Sequence, residues 1–225
     1  MNDRDGAGAE AGGLDSRIAG LALERFRIDG FAGTSVGDLA GILGVSKAAI
    51  YYHYRSKDTL LHRLVDPLLD AIDACIDAHS APNPPDPPGP APVATPAARQ
   101  LLGDYLAVLT AHREVVPLVA TDIAVLNHPT IGPRIRAQDQ RLRTLLTAPD
   151  TSTAATLRAE AALGAIRLPL TTQTAVDLTD ASHQQTLIDA AVATLKAGHT
   201  GRPSPNQEPV PPTRTDAHTD HTAHP

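Results

Sequence analysis

Between positions 42 and 57 the chain gathers Lys47, Arg55 and Lys57 with Tyr51, Tyr52 and His53, and no carboxylate. Ammonium, guanidinium, phenol and imidazole groups all donate hydrogen bonds, and the partner they share is a phosphate oxygen. The chain has only three lysines, and two of them fall in this stretch. The chemistry on offer is anion binding along a nucleic-acid backbone. No Ser/His/Asp set, paired carboxylates or Gly-rich phosphate loop stands out elsewhere. His218, His221 and His224 sit in a low-complexity tail, where isolated imidazoles fix no coordination geometry, so neither a metal site nor a cofactor is expected. The single cysteine, Cys75, excludes an intrachain disulfide and a Cys-rich zinc site, and suits a packed apolar position. Asp122 and His128 are expected to cap or lie at the surface rather than to touch a ligand.

The residues before this cluster say what must position it. Thr34 reads as an N-cap, Val36 and Leu39 as inward-facing, and Ala40 as small. Gly44 follows four residues later and Ile50 six after that. A small residue at a helix crossing, a glycine in the turn and a branched apolar anchor together spell a helix-turn-helix. Its second helix is predicted from about Val45 or Ser46 to Tyr52, with its N-terminal residues aimed at a major groove. Tyr54 suits a buried anchor against the first helix. Ser56 suits the cap of a long following helix, at whose N-terminus Lys57 would welcome a phosphate.

Residues 22–61, ALERFRIDGFAGTSVGDLAGILGVSKAAIYYHYRSKDTLL, resemble the DNA-binding domain of the TetR family, the tetracycline-repressor-like regulators. The matching features are Ala22 and Phe26 before Gly30, then Thr34-Ser35-Val36, Leu39-Ala40 and Gly44-Val45-Ser46-Lys47. Tyr51-Tyr52-His53-Tyr54, Ser56-Lys57 and Leu60-Leu61 complete them. The resemblance covers about residues 14–65. It implies a three-helix reader, a fourth helix leading to a helical ligand domain, and last helices that pair with a second chain. By matching position, Thr34 and Ser35 are expected on backbone phosphates. Ser46, Lys47, Ala48, Ala49 and Tyr51 are expected toward the groove, and Tyr52, His53 and Lys57 as phosphate clamps. Ala48-Ala49 departs from the family's more frequent Gly-Thr-like pair. Two methyl groups make no hydrogen bond to a base edge, and contact only thymine methyls or allow close approach.

The rest of the chain reads as all-α. Apolar residues recur at helical spacing over 14–29, from Lys57 through Ile76, around Leu101–Leu109 and Ile135–Leu146, and over 153–168 and 182–197. Val115–Leu126 is also read as helix. Aromatic residues make up only 3% of the chain, and alternating strand patterns are absent. Eight prolines over 81–96 forbid a helix there, and residues 1–13 and 198–225 are expected to be disordered. The predicted organisation is therefore a helix-turn-helix domain over 14–56 and a ligand-binding and dimerisation domain over 57–197, the latter carrying a Pro-rich loop at 81–96. Pro67 is expected to bend the fourth helix. Ile72, Tyr105, Leu109, Val119 and Ile123 are expected at an effector cavity. Leu157, Ala161, Gly164, Leu168, Ile188 and Val192 are expected at a homodimer face.

A net charge of −6 argues against a broad, nonspecific nucleic-acid binder and requires any such site to be local. No apolar run approaches a membrane span, and Met1–Gly13 has no signal-peptide core, so a cytoplasmic location is expected. These features point to a ligand-responsive, dimeric regulator on double-stranded operator DNA, a repressor released by an apolar small molecule, and not an enzyme. The alternative is a helical enzyme or carrier that keeps a helix-turn-helix as packing.

Overall fold

The computed structural model describes residues 5–80, 96–172 and 177–197, with side chains from residue 13 onward. Among the described residues there are ten helices and no strand, as the periodicity requires. They are α1 (Asp5–Gly33), α2 (Val36–Leu43), α3 (Lys47–His53), α4 (Lys57–Ser80), α5 (Pro96–Ala111), α6 (Val116–Thr121), α7 (Ile123–Leu126), α8 (Ile131–Thr147), α9 (Thr153–Thr171) and α10 (Ala181–Lys196). No helix among them is long and apolar enough to cross a membrane.

Several boundaries differ from expectation. Helix α1 begins at Asp5, inside the segment expected to lack structure. Ala7, Ala9, Glu10 and Ala11 are strong helix formers that outweigh the intervening glycines. At its other end Gly30 takes φ 78°, ψ 158°, a conformation that breaks the helix and that a side chain would resist. The cap of α2 is Ser35, not Thr34. Val115–Leu126 is two helices, because Asp122 takes an extended conformation and caps the second of them. Pro96 opens α5 instead of closing the loop, since a first-turn proline gives up no hydrogen bond. The expectations for 81–95 and 198–225 lie outside the described residues.

The core is one continuous cluster running from Ile18 in α1 to Leu195 in α10. Helix α4 is its spine. Leu60, Leu61, Val65, Leu68, Leu69, Ile72 and Ile76 recur at three- and four-residue intervals and are all buried. Its N-terminal end packs on α1; further along it packs against α5 and α8, while α9 lies along α10. The helix continues across Pro67, which is solvent-exposed. Asp66, Asp70, Asp73 and Asp77 line the same helix. Arg134 of α8 reaches Asp70 and Asp73, each at 2.6 Å, and Arg141 pairs with Asp77 and, at 3.5 Å, Asp73. These rungs are half-exposed, so they fix the register of α4 on α8 more than they add stability.

Candidate nucleic-acid interface and internal cavity

The reader is assembled by short-range devices. Ser35 and Asp38 form a capping box: the Ser35 hydroxyl accepts from Asp38 N at 3.2 Å, and the Asp38 carboxylate accepts from Ser35 N at 3.0 Å. Those bonds hold the Asp38 carboxyl below its usual titration range. Gly44 ends α2 at φ 67°, and its N–H donates to the Ala40 and Gly41 carbonyls. Ser46 then caps α3, accepting from Ala49 N at 3.1 Å. Ile50 and Tyr54 turn inward, at 1% and 4% exposure. The opposite face of α3 is left to solvent. Tyr51 is 47% and Tyr52 85% exposed, Lys47 and Ala48 are exposed beside them, and Ala49 is half-buried. His53 stacks edge-on against Tyr52, with ring centroids 5.5 Å apart. Lys47 folds back so that its ammonium end lies against Gly37 at the start of α2.

A shallow concavity of about 450 Å³ brings Ser35, Tyr51, Arg55, Ser56 and Lys57 together beside α3. Arg55, part of the basic stretch but not among the contacts implied by the family resemblance, is exposed at this rim. Its place was readable from the gap between Tyr54, which anchors inward, and Ser56, which accepts from Thr59 N at 3.0 Å as the cap of α4.

Two expected contacts are corrected. Thr34 is 3% exposed, and its hydroxyl donates to Gly30 O at 3.0 Å, so it braces the α1 break instead of facing a phosphate. The Lys57 ammonium donates to Phe31 O at 2.7 Å and Thr34 O at 3.1 Å, and lies 4.3 Å from the Phe31 ring centroid. It satisfies carbonyls freed by the Gly30 break, and is not an open clamp.

The same break is held from the other side. Asp122 accepts from Val125 N at 3.0 Å, capping α7, and from Phe31 N at 2.7 Å through its other oxygen. The capping role was legible, but the long-range bond was not. Nearby, Thr130 Oγ1 lies 2.9 Å from His62 Nε2 and 3.2 Å from His128 Nδ1, and His128 is buried against Phe31. These contacts join the reader to the helices behind it.

Behind the reader, a mainly apolar cavity of about 320 Å³ lies among α4, α5, α6, α8 and α9 and opens to solvent beside Gly164 and Leu168. Ile72, Tyr105, Leu109 and Val119, four of the five residues assigned to an effector site, are in its lining. Ile123 is not. It is 73% exposed, because the Asp122 break turns α7 outward. The sequence reading missed the polar wall made by Gln138, Asp139 and Arg167. Arg167 Nε donates to the Tyr105 hydroxyl at 2.7 Å, and its Nη2 donates to Asp139. Burial opposes the Arg167 charge, but Tyr105 and Asp139 outweigh it and leave the guanidinium more basic than usual. Burial also pushes the Tyr105 phenol up. A larger open cleft of about 900 Å³ beside α1 and α6 mixes charged residues such as Glu24, Arg27 and Arg113 with apolar ones such as Ile28, Leu118 and Leu170.

On α9, Leu157 and Leu168 are 64% and 61% exposed, with Ala161 and Gly164 exposed between them. The expected α10 partners are corrected. Val192 is 4% exposed in the chain's own core, and Ile188 packs half-buried against Gly103 of α5.

Residues 19–64 match the family model "Bacterial regulatory proteins, tetR family". Similar solved structures include SCO3833, a member of the TetR transcriptional regulator family from Streptomyces coelicolor A3. It is 22% identical over 80% of this chain and 90% of that one, with a TM-score of 0.60. AmtR of Mycobacterium smegmatis is 18% identical over 80% and 84%, also at 0.60. The ketosteroid transcriptional regulator KstR2 of Mycobacterium tuberculosis is 17% identical over 81% and 93%, at 0.59.

Proposed function

We propose that the chain, whose residues 19–64 match the model of the tetR family of bacterial regulatory proteins, is a dimeric repressor of that family, released from its operator by a small molecule. The observation that carries this reading is the solvent face of α3. In a chain of net charge −6, Lys47, Tyr51 and Tyr52 stand exposed beside Arg55 with no carboxylate on the same stretch. Lys47, Ala48, Ala49 and Tyr51 face the major groove, with Ser46 at its lip. Ser35, Tyr52, His53 and Arg55 take the flanking phosphates, which set register while the groove residues discriminate. The alanines read thymine methyls by contact.

The exposed α9 stripe of Leu157, Ala161, Gly164 and Leu168 pairs two copies across a two-fold axis, so that two readers meet a palindromic site. The cavity holds the effector. Its walls include α4, whose first turn borders the reader, so a ligand that favours one pose of α4 alters reader spacing and operator affinity. The setting is the cytoplasm, where the operator lies.

Selection of bound DNA from a random pool by the full chain tests this directly. The expected product is a palindrome with half-site centres about 34–36 Å apart or a multiple of that. A pool that yields no enriched sequence at low salt would overturn the reading. Gly164→Arg is expected to give monomers by light scattering, and a variant that stays dimeric removes the α9 face from the proposal.

A further inference from the structure

The cavity carries a more specific message than its apolar lining. Thr121 and Thr171 line it with hydroxyls already donated to carbonyls of their own helices; its other polar groups come from three helices: Tyr105 on α5, Gln138 and Asp139 on α8, Arg167 on α9. Each is only partly engaged. The Tyr105 oxygen accepts from Arg167 Nε, which leaves its own proton to give. Arg167 uses Nε and Nη2, and Nη1 has no partner among the described residues. Asp139 accepts through Oδ1, which leaves Oδ2. Gln138 is 3% exposed and donates to Leu69 O at 2.8 Å, which leaves its carbonyl oxygen. Tyr105 and Gln138 are buried, and polar groups so placed want partners. The lining therefore offers both donors and acceptors within a mainly aliphatic space.

Its charges cancel. Arg167 and Asp139 form an ion pair with side chains 28% and 30% exposed. A buried ligand anion would face the Asp139 carboxylate, and a buried ligand cation would face the Arg167 guanidinium. Either would bring a like charge beside one member of a pair that is already neutralised, a repulsion with no compensating counterion. A neutral group avoids this. A hydroxyl or carbonyl can accept from Tyr105 or Arg167, and a hydroxyl can also donate to Asp139 or Gln138.

We propose that the cavity selects an uncharged, mostly aliphatic molecule ending in a hydroxyl or carbonyl, and rejects the matching carboxylate and amine. A volume of about 320 Å³ is at the small end of ligand pockets and sets the scale at about ten carbons. This rests on the reading of the cavity as an effector site, but its test needs no DNA.

The experiment titrates the full-length protein with decanol, decanoate and decylamine below their aggregation limits, following displacement of an environment-sensitive dye. Decanol is expected to bind at least tenfold more tightly than either charged analogue. Asp139→Asn, nearly isosteric, leaves Arg167 without its counterion, and is expected to improve decanoate at least tenfold relative to decanol. Tyr105→Phe is expected to weaken decanol several-fold while leaving the charged analogues unmoved. Wild-type protein that prefers decanoate or decylamine, or that binds none of the three, overturns the proposal. So does an Asp139→Asn protein that keeps the wild-type order. The wild-type series decides alone if that variant does not fold. Operator release is read separately: decanol that binds selectively yet leaves an operator complex intact sinks the effector role and not the ligand class.

Discussion

Two faces of this molecule stand in solvent, and they differ in how they are held there. The α3 face presents Tyr51, Tyr52 and Lys47, and its supports lie within a few residues: the Ser46 cap, the Gly44 turn and the bond from Tyr54 N to Ile50 O at 2.8 Å. The α9 face presents Leu157 and Leu168 with small residues between. Its orientation is set by contacts with α10 and α5, whose partners are remote in sequence. A face held locally keeps its identity wherever the motif is placed. One held by distant packing is defined only after the whole helical body has formed. The first can therefore be altered in binding without loss of fold, and the second is coupled to everything behind it.

The sharpest way to break that contrast is to remove the reader's anchor. Ile50→Ala is expected to cost about 2–5 kcal/mol in urea titrations, whereas Leu157→Ala should stay within about 0.5 kcal/mol for a monomer. Equal losses would mean that exposure on α9 is not what distinguishes the faces. The next largest effect is expected at Gly30. Its φ of 78° and the approach of Asp122 Oδ2, 3.3 Å from where a Cβ would stand, make Gly30→Val strained. A loss of about 1–3 kcal/mol is expected, with the reader loosened before the body in hydrogen exchange. Uniform loosening would deny that Gly30 marks the seam between them. Lys47→Ala and Tyr51→Phe should each weaken operator binding by about 1–3 kcal/mol at fixed salt with the melting temperature unchanged. A shifted melting temperature would make these residues structural.

The smallest expected effect is at Tyr54. Among the described residues no group lies within hydrogen-bond distance of its buried hydroxyl, and burial, reinforced by the nearby Asp15 carboxylate, pushes its phenol up to about 12. Tyr54→Phe should therefore be neutral or stabilising by about 1 kcal/mol at neutral pH. Above pH 10 the unfolded chain releases a proton that the folded chain retains until about pH 12, so stability falls as pH rises through that window. The Tyr105 phenol, also raised by burial, acts in the same sense. Tyr54→Phe should lessen the alkaline slope without abolishing it. An unchanged slope from pH 10 to 12 would show that Tyr54 does not titrate in this way.

The reader was legible in sequence because its chemistry is sequential. Gly44, Ser46 and Ser56 find their partners three or four positions away, and Ile50 follows Gly44 by six, so pattern alone locates them. Thr34 and Lys57 were misread for the opposite reason. Their partners, Gly30 O and Phe31 O, become available only where Gly30 breaks α1, and nothing in the spacing reveals that break's geometry. The cavity follows the same rule. Its apolar lining came from helix periodicity. The wall of Gln138, Asp139 and Arg167 looks in sequence like ordinary polar helix surface, and Ile123 looks like core until Asp122 ends the preceding helix. On α10, Val192 was assigned outward because periodicity gives a face and not the neighbour that covers it.

The acidic rungs on α4 have a consequence for how the molecule meets DNA. Asp70, Asp73 and Asp77 outnumber Arg134 and Arg141, and at 1.5 Å per residue they lie roughly 20–30 Å from Lys57 at the other end of the same helix. The protein thus carries a dipole: cations gathered at the reader, surplus carboxylate well behind it, in a chain whose total charge DNA repels. Diffusional encounters are sorted by orientation, because the field of the duplex turns the reader forward and pushes the ladder away. The association rate should fall as salt is added even though the whole chain is an anion, and Asp70→Asn with Asp77→Asn should slow productive docking by weakening the torque, with no loss of any contact in the final complex.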